Sequence, residues 1–559
     1  MKTWENARER KMEWLIFLIF ALSFIFVSVN HEPWLDECQA WQIGRCASIK
    51  EILFIIPHYE AHPPLWHLIL AIPAKLGISF EFGIKLVAGL ITLTSGWILL
   101  FCSPFPRFIR ILLPFHYFLF YQYGIVSRPY GLMGLVFFLL AMQFPKKNYK
   151  PWLFVLLLAL ECMLSAYGIV LAGGISVAWI LEICQEKRWK IKHVGFWKDV
   201  RFLALIILFM LALFLISDIS PKEDTVIEFA KIGQNLVSCF AYTMFMALAD
   251  STLLNVLTGE GILRYTQLTT GDYLFGCFIG MLILLVLVLF SSRKKICYLL
   301  IPYTFWAIFS AYVYFACHHM GIILLYTISW LWITWNDEDR CWLWKRLKKR
   351  ISLTERDTMM ARKLGLFLGS LLLIVPTIWT AFAAGYDVIY PYYFARGTAE
   401  FLKKNHLEDY DILCDWSGSG QDAGDENAFD NMNINVMKKA VALAPYFKDN
   451  PFYNFNNGMS DQAFITFRVP SVQVTKEVIK TWKEYGAPDV IIGSVNLNLV
   501  YDEQQLLSEY AVAYKIRPLK FSIWKLLHDS NSLMVEYVYI RRELLQQLGL
   551  EELTESPFD

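Results

Sequence analysis

Charge is what this 559-residue chain has least of. Only 18% of its residues are Asp, Glu, Lys or Arg, against about 25% in an ordinary soluble domain. Hydrophobic residues make up 56%, aromatics 16%, and the mean hydropathy is +0.41. Such a composition points to an integral membrane protein before any motif is read. A net charge of +1 offers no basic surplus for nucleic acid and nothing that suggests an acidic partner. The eleven cysteines form no C-x-x-C pair and no zinc spacing. Several lie inside apolar runs, where a thiol acts as a small apolar group. Cys38 and Cys46 lie too far apart along a helix for a disulfide, whose Cα atoms must come within about 7 Å. No G-x-x-x-x-G-K-[ST] loop and no G-x-G-x-x-G after a strand is present, so no nucleotide site is legible. Rows of charge inside the apolar runs, internal repeats and low-complexity tracts are also missing.

What is there is a series of apolar runs. The first, WLIFLIFALSFIFVSV (14–29), follows MKTWENARERK. It is too long for a signal-peptide core and lacks a small-residue cleavage site, so it reads as a retained span with its basic end in the cytoplasm. A span needs about 20 mostly apolar residues. The basic loops KKNYK (146–150), EKRWKIKHVGFWK (186–198), SSRKK (291–295) and NDEDRCWLWKRLKKRISLTERDTMMARK (336–363) belong inside with the N-terminus. Spans at 12–30, 82–102, 108–126, 130–145, 151–165, 167–184, 199–217, 271–291, 296–315, 319–335 and 364–386 satisfy every loop. The expectation is therefore an α-helical polytopic membrane protein with about eleven transmembrane helices, N-terminus in and C-terminus out. Two large outer loops follow, 31–80 and 218–270. The stretch 64–77 lies in or near the outer interface, and 229–258 is compatible with a re-entrant segment.

From about residue 390 charges become frequent and acids outnumber bases. AEFLKKNH, INVMKKAVALAPYF, KEVIKTWKEYG and DEQQLLSEYAV read as helices. YDILCDW, AFITFRV, PDVIIGSV, KFSIWKLL and LMVEYVYI read as strands, with a polar loop at 418–433. The chain thus divides into a membrane domain, 1–389, and an extracytoplasmic α/β domain, 390–559.

On this topology the polar residues of interest fall on one membrane face. Asp36 and Glu37 stand just beyond the first span, between Trp34 and Trp41. Adjacent residues point in different directions, so at most one faces a given ligand atom. They read either as a solvated acidic pair or as a base or metal ligand whose proton affinity is tuned by the aromatic surroundings. HYEAHPPLWH supplies His58, Glu60 and His62. It reads either as an interfacial anchor or as a phosphate or divalent-metal site, with His62 preset by Pro63–Pro64. Arg128, in the turn SRPY, either snorkels to lipid phosphate or grips a phosphate oxygen pair. His318 and His319 are either satisfied interfacial residues or a cation or metal ligand near the same phosphate.

WLDECQAW, HYEAHPPLWHLIL and SRPYGL, and more weakly HHMG, together resemble the GT-C membrane glycosyltransferases. Within these they look like the bacterial family-39-like group of protein mannosyltransferases and aminoarabinose transferases. The resemblance covers residues 1 to about 335 as architecture, and no specific motif extends it into the C-terminal domain. It implies a sugar donor carried on polyprenyl phosphate, used from the outer face of the cell membrane, and an inverting transfer to a hydroxyl of a protein, lipid or glycan. Asp36 falls on the proposed base, with Glu37 as its understudy. His62, Arg128 and Tyr130 of the SRPY turn fall on the donor-phosphate site. Relatives carry Arg-His where Cys317–His318 stands here. No cofactor is implied with certainty, although a divalent metal is compatible. A transporter of lipid-linked or envelope glycan, or an envelope-binding assembly protein, would also have many spans. The first should show charged or broken helices at mid-membrane, and the second has no use for clustered carboxylate and cation at the bilayer face.

Overall fold

The computed structural model describes residues 2–189, 198–221, 236–254, 270–351, 354–414, 438–449, 451–452, 464, 487–493, 508–518 and 535–553. It is mostly helical, and among the described residues seven helices are long and apolar enough to cross a membrane. They are Lys11–Asn30, Phe80–Phe101, Ala166–Glu186, Val200–Ile219, Leu236–Leu253, Thr270–Phe290 and Lys363–Ile389. Shorter apolar helices at Pro151–Leu164, Ile296–Tyr312 and Met320–Trp335 pack among them. This architecture fits a polytopic membrane protein.

The helices are numbered here along the chain. α1 (Lys2–Asn30) leads into four short helices: α2 (Leu35–Cys46), α3 (Ile49–Phe54), α4 (Ile56–Glu60) and α5 (Leu65–Lys75). α6 (Phe80–Phe101) and α7 (Arg107–Leu112) follow. The span expected at 108–126 is not one α-helix. Pro114 lacks the amide an α-helix needs, and beyond a 3₁₀ turn at Leu113–Phe115 the chain continues as a π-helix, Phe118–Ile125. π turns are rare and cluster at functional sites. This one ends three residues before Arg128. Then come α8 (Pro129–Gln143), α9 (Pro151–Leu164), α10 (Ala166–Glu186) and α11 (Val200–Ile219).

Within the loop expected at 218–270, a helix lies in the stretch 229–258 that is compatible with a re-entrant segment. Leu236–Leu253, here α12, is a helical segment broken by two π stretches, with Tyr242, Thr243, Met246 and Ala247–Ala249 buried. It packs along α13 (Thr270–Phe290) in the same direction. Tyr273 donates to the Ser238 carbonyl, 2.7 Å, and Gly280 lies against the Phe245 carbonyl so closely that a Cβ would sit 1.8 Å from that oxygen. Its polar residues Asp250, Ser251 and Thr252 interrupted the apolar pattern, and packing rather than hydropathy buries them. α14 (Ile296–Tyr312), α15 (Met320–Trp335), α16 (Trp342–Ile351) and α17 (Glu355–Ile389) complete the bundle.

The C-terminal part begins with α18 (Ala395–Lys404). Its four-stranded sheet comprises β1 (Ile412–Cys414), β2 (Val490–Ile492), β3 (Tyr510–Ile516) and β4 (Glu536–Arg541), in the order β1-β2-β4-β3. β1 and β2 are parallel, and the other pairs are antiparallel. α19 (Lys438–Leu443) and α20 (Arg542–Gln547) accompany the sheet. The helix expected through Val512 is overturned: from Tyr510 the chain is β3, because its pairing with β4 outweighs the helical period of DEQQLLSEY. Apart from Phe464, the elements expected at 463–469, 476–486 and 520–527, and the polar loop at 418–433, lie outside the described residues.

A compact clasp joins the two parts. Arg396 grips Glu81 with two hydrogen bonds, 2.7 and 2.8 Å, and donates to the carbonyls of Asn30 and His31. Glu32 accepts the amides of Tyr393 and Arg396 at the start of α18, where unpaired N–H groups favour a carboxylate. Burial raises the Glu32 pKa to about 7 despite those bonds.

Candidate functional site

The acidic pair opens α2. Asp36 and Glu37 occupy its first turn, where the helix dipole favours anions. The two side chains then part company. Glu37 is 1% exposed and fully engaged. One oxygen accepts the Trp34 amide, 3.1 Å, in the manner of a helix cap, and the other accepts the Ser127 amide, 2.8 Å. It ties α2 to the turn that carries Arg128. The understudy role expected for Glu37 is corrected accordingly: with both oxygens occupied by amides, it is an anchor. Asp36 points elsewhere, keeps 40% of its side chain exposed, and forms an ion pair with Arg128.

Arg128 precedes Pro129 and caps the N-terminus of α8. Its extended backbone is the conformation a residue preceding proline prefers. The side chain, 12% exposed, passes between the rings of Trp34 and Tyr130, 5.7 and 5.4 Å from their centroids. Burial alone would lower its pKa, but Asp36 outweighs burial and raises it. The guanidinium is thus a fixed, permanently charged group beside the partly exposed Asp36.

Two imidazoles sense that charge. His62 follows Ala61, whose φ of +52° lies in the left-handed region disfavoured for a residue with a Cβ. This strained turn and Pro63–Pro64 set the ring's position. Burial, then Arg128, lowers the His62 pKa to about 4, and its Nδ1 is enclosed without a partner among the described residues. His318 sits in the turn Cys317–His319 before α15. Its pKa is also depressed well below the usual value, by burial and then Arg128, and its Nε2 likewise lacks a partner. Each ring has an enclosed polar atom that an incoming ligand could satisfy.

His319 is different. Its Nδ1 accepts the Ala316 amide, 2.9 Å, so in the neutral ring the proton resides on Nε2, which donates to Tyr130 Oη, 2.8 Å. Tyr130 therefore keeps its own proton for donation. His319 is a buried support for Tyr130, not a ligand residue, which corrects that expectation. His58 also leaves the site: it contacts the Ser220 carbonyl, 3.2 Å, and approaches Asp218 at the end of α11, 4.0 Å. Glu60 stays close. Gln39 donates to it, 2.8 Å, and burial raises its pKa to about 7, with Asp36 and Arg128 acting on it in opposite senses. Among the described residues no group of three or more His, Cys, Asp or Glu is placed to hold a metal ion.

Sequence reasoning missed a buried network beneath the site. His31 Nδ1 lies 2.8 Å from Asp387 on α17, and its Nε2 lies 3.5 Å from Glu37. Tyr121 of the π-helix donates to the other Asp387 oxygen, 2.9 Å. Burial would lower the His31 pKa, but Asp387 and then Glu37 raise it to about 9, so the ring is cationic at neutral pH. The signal was faint: a histidine directly after the first apolar run and an acid near the end of the last.

The chemistry this geometry permits is specific. A partly exposed carboxylate can accept a proton. Beside it, a fixed guanidinium, a phenol proton and two imidazoles with unfilled atoms can receive an anion. The chain matches no protein-family model, no curated protein and no solved structure.

Proposed function

We propose that this chain is a membrane glycosyltransferase. It moves a sugar from a polyprenyl-phosphate donor to an acceptor hydroxyl, with inversion at the anomeric carbon, at the end of the bundle where Asp36 meets Arg128. The observation that carries this reading is the pairing of one accessible carboxylate with a buried guanidinium held between two aromatic rings, flanked by His62 and His318 with unfilled nitrogens. Lys147, Lys187, Arg201 and Lys295 gather at the opposite ends of the helices. The excess of basic residues in cytoplasmic loops then orients the site toward the extracytoplasmic face.

In this mechanism the acceptor oxygen attacks C1 of the sugar while Asp36 takes its proton. The bond from C1 to the phosphate oxygen breaks on the opposite face, and the electron pair leaves with the polyprenyl phosphate. Charge growing on that phosphate is met by Arg128, Tyr130 and His62, groups already in place before reaction. At rest Asp36 is paired with Arg128. A donor phosphate that draws the guanidinium toward itself frees the carboxylate to face the acceptor hydroxyl, so proton transfer is linked to binding of the leaving group. Acceptors of the protein, lipid or glycan class fit equally. The C-terminal domain, clasped to the same end through Arg396, is positioned to select among them.

The test has two parts. Mass spectrometry of envelope glycans, glycolipids and glycoproteins from cells with and without the gene should show one sugar modification lost. Purified protein should release polyprenyl phosphate from the matching donor. Loss of the gene without any change in envelope sugars, together with no donor turnover, would overturn the reading.

A further inference from the structure

α16, Trp342–Ile351, has no role in the chemistry above. Of its ten residues, Lys345, Arg346, Lys348, Lys349 and Arg350 are cationic, and none is acidic. Among the described residues none of the five is paired with a carboxylate. In a chain whose net charge is +1 this is a strong local concentration.

The helix also carries an apolar stripe. Leu343, Leu347 and Ile351 recur every fourth residue and so share one face. Leu347 is 43% exposed and Ile351 57% exposed, and no residue of α16 is buried. Leu343 is partly covered, whereas Leu347 and Ile351 stand open among the described residues.

Its location is fixed at one end. The Cys341 amide donates to the carbonyls of Phe290 and Ser291, both 3.1 Å. α16 therefore starts where the apolar helix Thr270–Phe290, long and apolar enough to cross a membrane, stops. α17 begins only a few residues after α16 ends and leads back into the apolar run from Lys363.

We propose that α16 is a docking surface for anionic lipid headgroups on the basic end of the bundle. An apolar stripe left open at Leu347 and Ile351, beside a cationic face, is satisfied on both sides only at a bilayer surface. Leu343, Leu347 and Ile351 enter the acyl boundary, and the lysines and arginines reach lipid phosphates with their flexible stems. A zwitterionic bilayer would satisfy the stripe, but the five uncompensated cations select a net negative headgroup. Soluble polyanions would satisfy the cations and leave the stripe in water.

The experiment uses the full chain in vesicles of phosphatidylcholine containing a minority of phosphatidylglycerol. A trace of the lipid carries a photoreactive headgroup, either phosphatidylglycerol or phosphatidylcholine, and labelled peptides are mapped after proteolysis. Peptides spanning 342–351 should be labelled at least about fivefold more by the anionic probe, one basic residue's worth of attraction to an anionic surface. That excess should collapse at high salt, as screening of headgroup contacts requires. A variant with all five residues replaced by Gln should lose the excess, and one in which Lys and Arg are exchanged should keep it. Equal labelling by the two probes in the wild-type protein, or anionic labelling confined to other segments, overturns the proposal even if the Gln variant fails to fold.

Discussion

His31 provides a quantitative test of the buried network that supports the site. Its ring is 2% exposed and lies between Asp387 and Glu37. Its pKa rises from 6.5 to about 9. A group whose pKa is higher in the folded state stabilises that state fully below its unfolded value, here 6.5, and loses the contribution as pH climbs through 9. A shift of this size corresponds to about 3 kcal/mol. Above pH 9 the neutral ring leaves two buried carboxylates without their cation. The perturbation is His31→Gln, which keeps a hydrogen-bonding side chain but cannot carry charge. Removing one partner of a buried ion pair costs about 3–5 kcal/mol, so the variant should be markedly less stable at pH 6.5. The assay is resistance to heat in detergent, followed by tryptophan fluorescence from pH 6 to 10, for wild type and variant. The wild-type advantage should be greatest at the acid end and shrink steadily toward pH 9 and beyond. Other titrating groups cancel in the difference. A difference that stays constant with pH, or grows, would refute a cationic His31.

Asp36→Asn should lower turnover by about 10²–10⁴-fold, the usual contribution of a general base, while polyprenyl phosphate binds at least as tightly because Arg128 is released; near-normal turnover would remove Asp36 from that role. Arg128→Lys should weaken polyprenyl-phosphate binding by about tenfold or more, since a point charge replaces a fork that forms two charge-assisted hydrogen bonds, and an unchanged dissociation constant would show that the phosphate sits elsewhere. His58→Ala should leave donor turnover essentially unaltered, because its ring faces the end of α11; a large loss would return His58 to the site. Glu81→Gln should weaken the clasp on Arg396 and speed limited proteolysis between 389 and 395, with cleavage at the wild-type rate counting against the clasp.

The apolar runs could be read from the sequence because the bilayer imposes a length, and a polar residue at the end of such a run has few places to go. That logic brought Asp36, His62, Arg128 and His318 to one face from four separate segments. It could not tell Asp36 from Glu37. Which of two adjacent acids is buried depends on an amide at Ser127, ninety positions away in the chain. Nor could it distinguish His318 from His319, since the 3₁₀ turn before α15 decides which ring meets Ala316 and Tyr130. His31 and Asp387 are separated by almost the whole membrane domain, so their pairing depends on helix packing that no local pattern records. α12 was legible only as a compatible re-entrant stretch, 229–258, for a related reason. Its acid and hydroxyl groups lower its hydropathy, yet Tyr242 satisfies Asp250 inside the bundle.

The guanidinium of Arg396 has a mechanical consequence. It holds the carbonyls of Asn30, the last residue of α1, and of His31, the opening turn of α6 and, through its own backbone, the start of α18. The strip of chain it fastens, Asn30 to Glu32, runs directly into the helix that bears Asp36. A tilt of the C-terminal part thus cannot be absorbed in a slack tether. It pulls on the short segment that leads to Asp36, so a load applied to one body is felt as a displacement in the other.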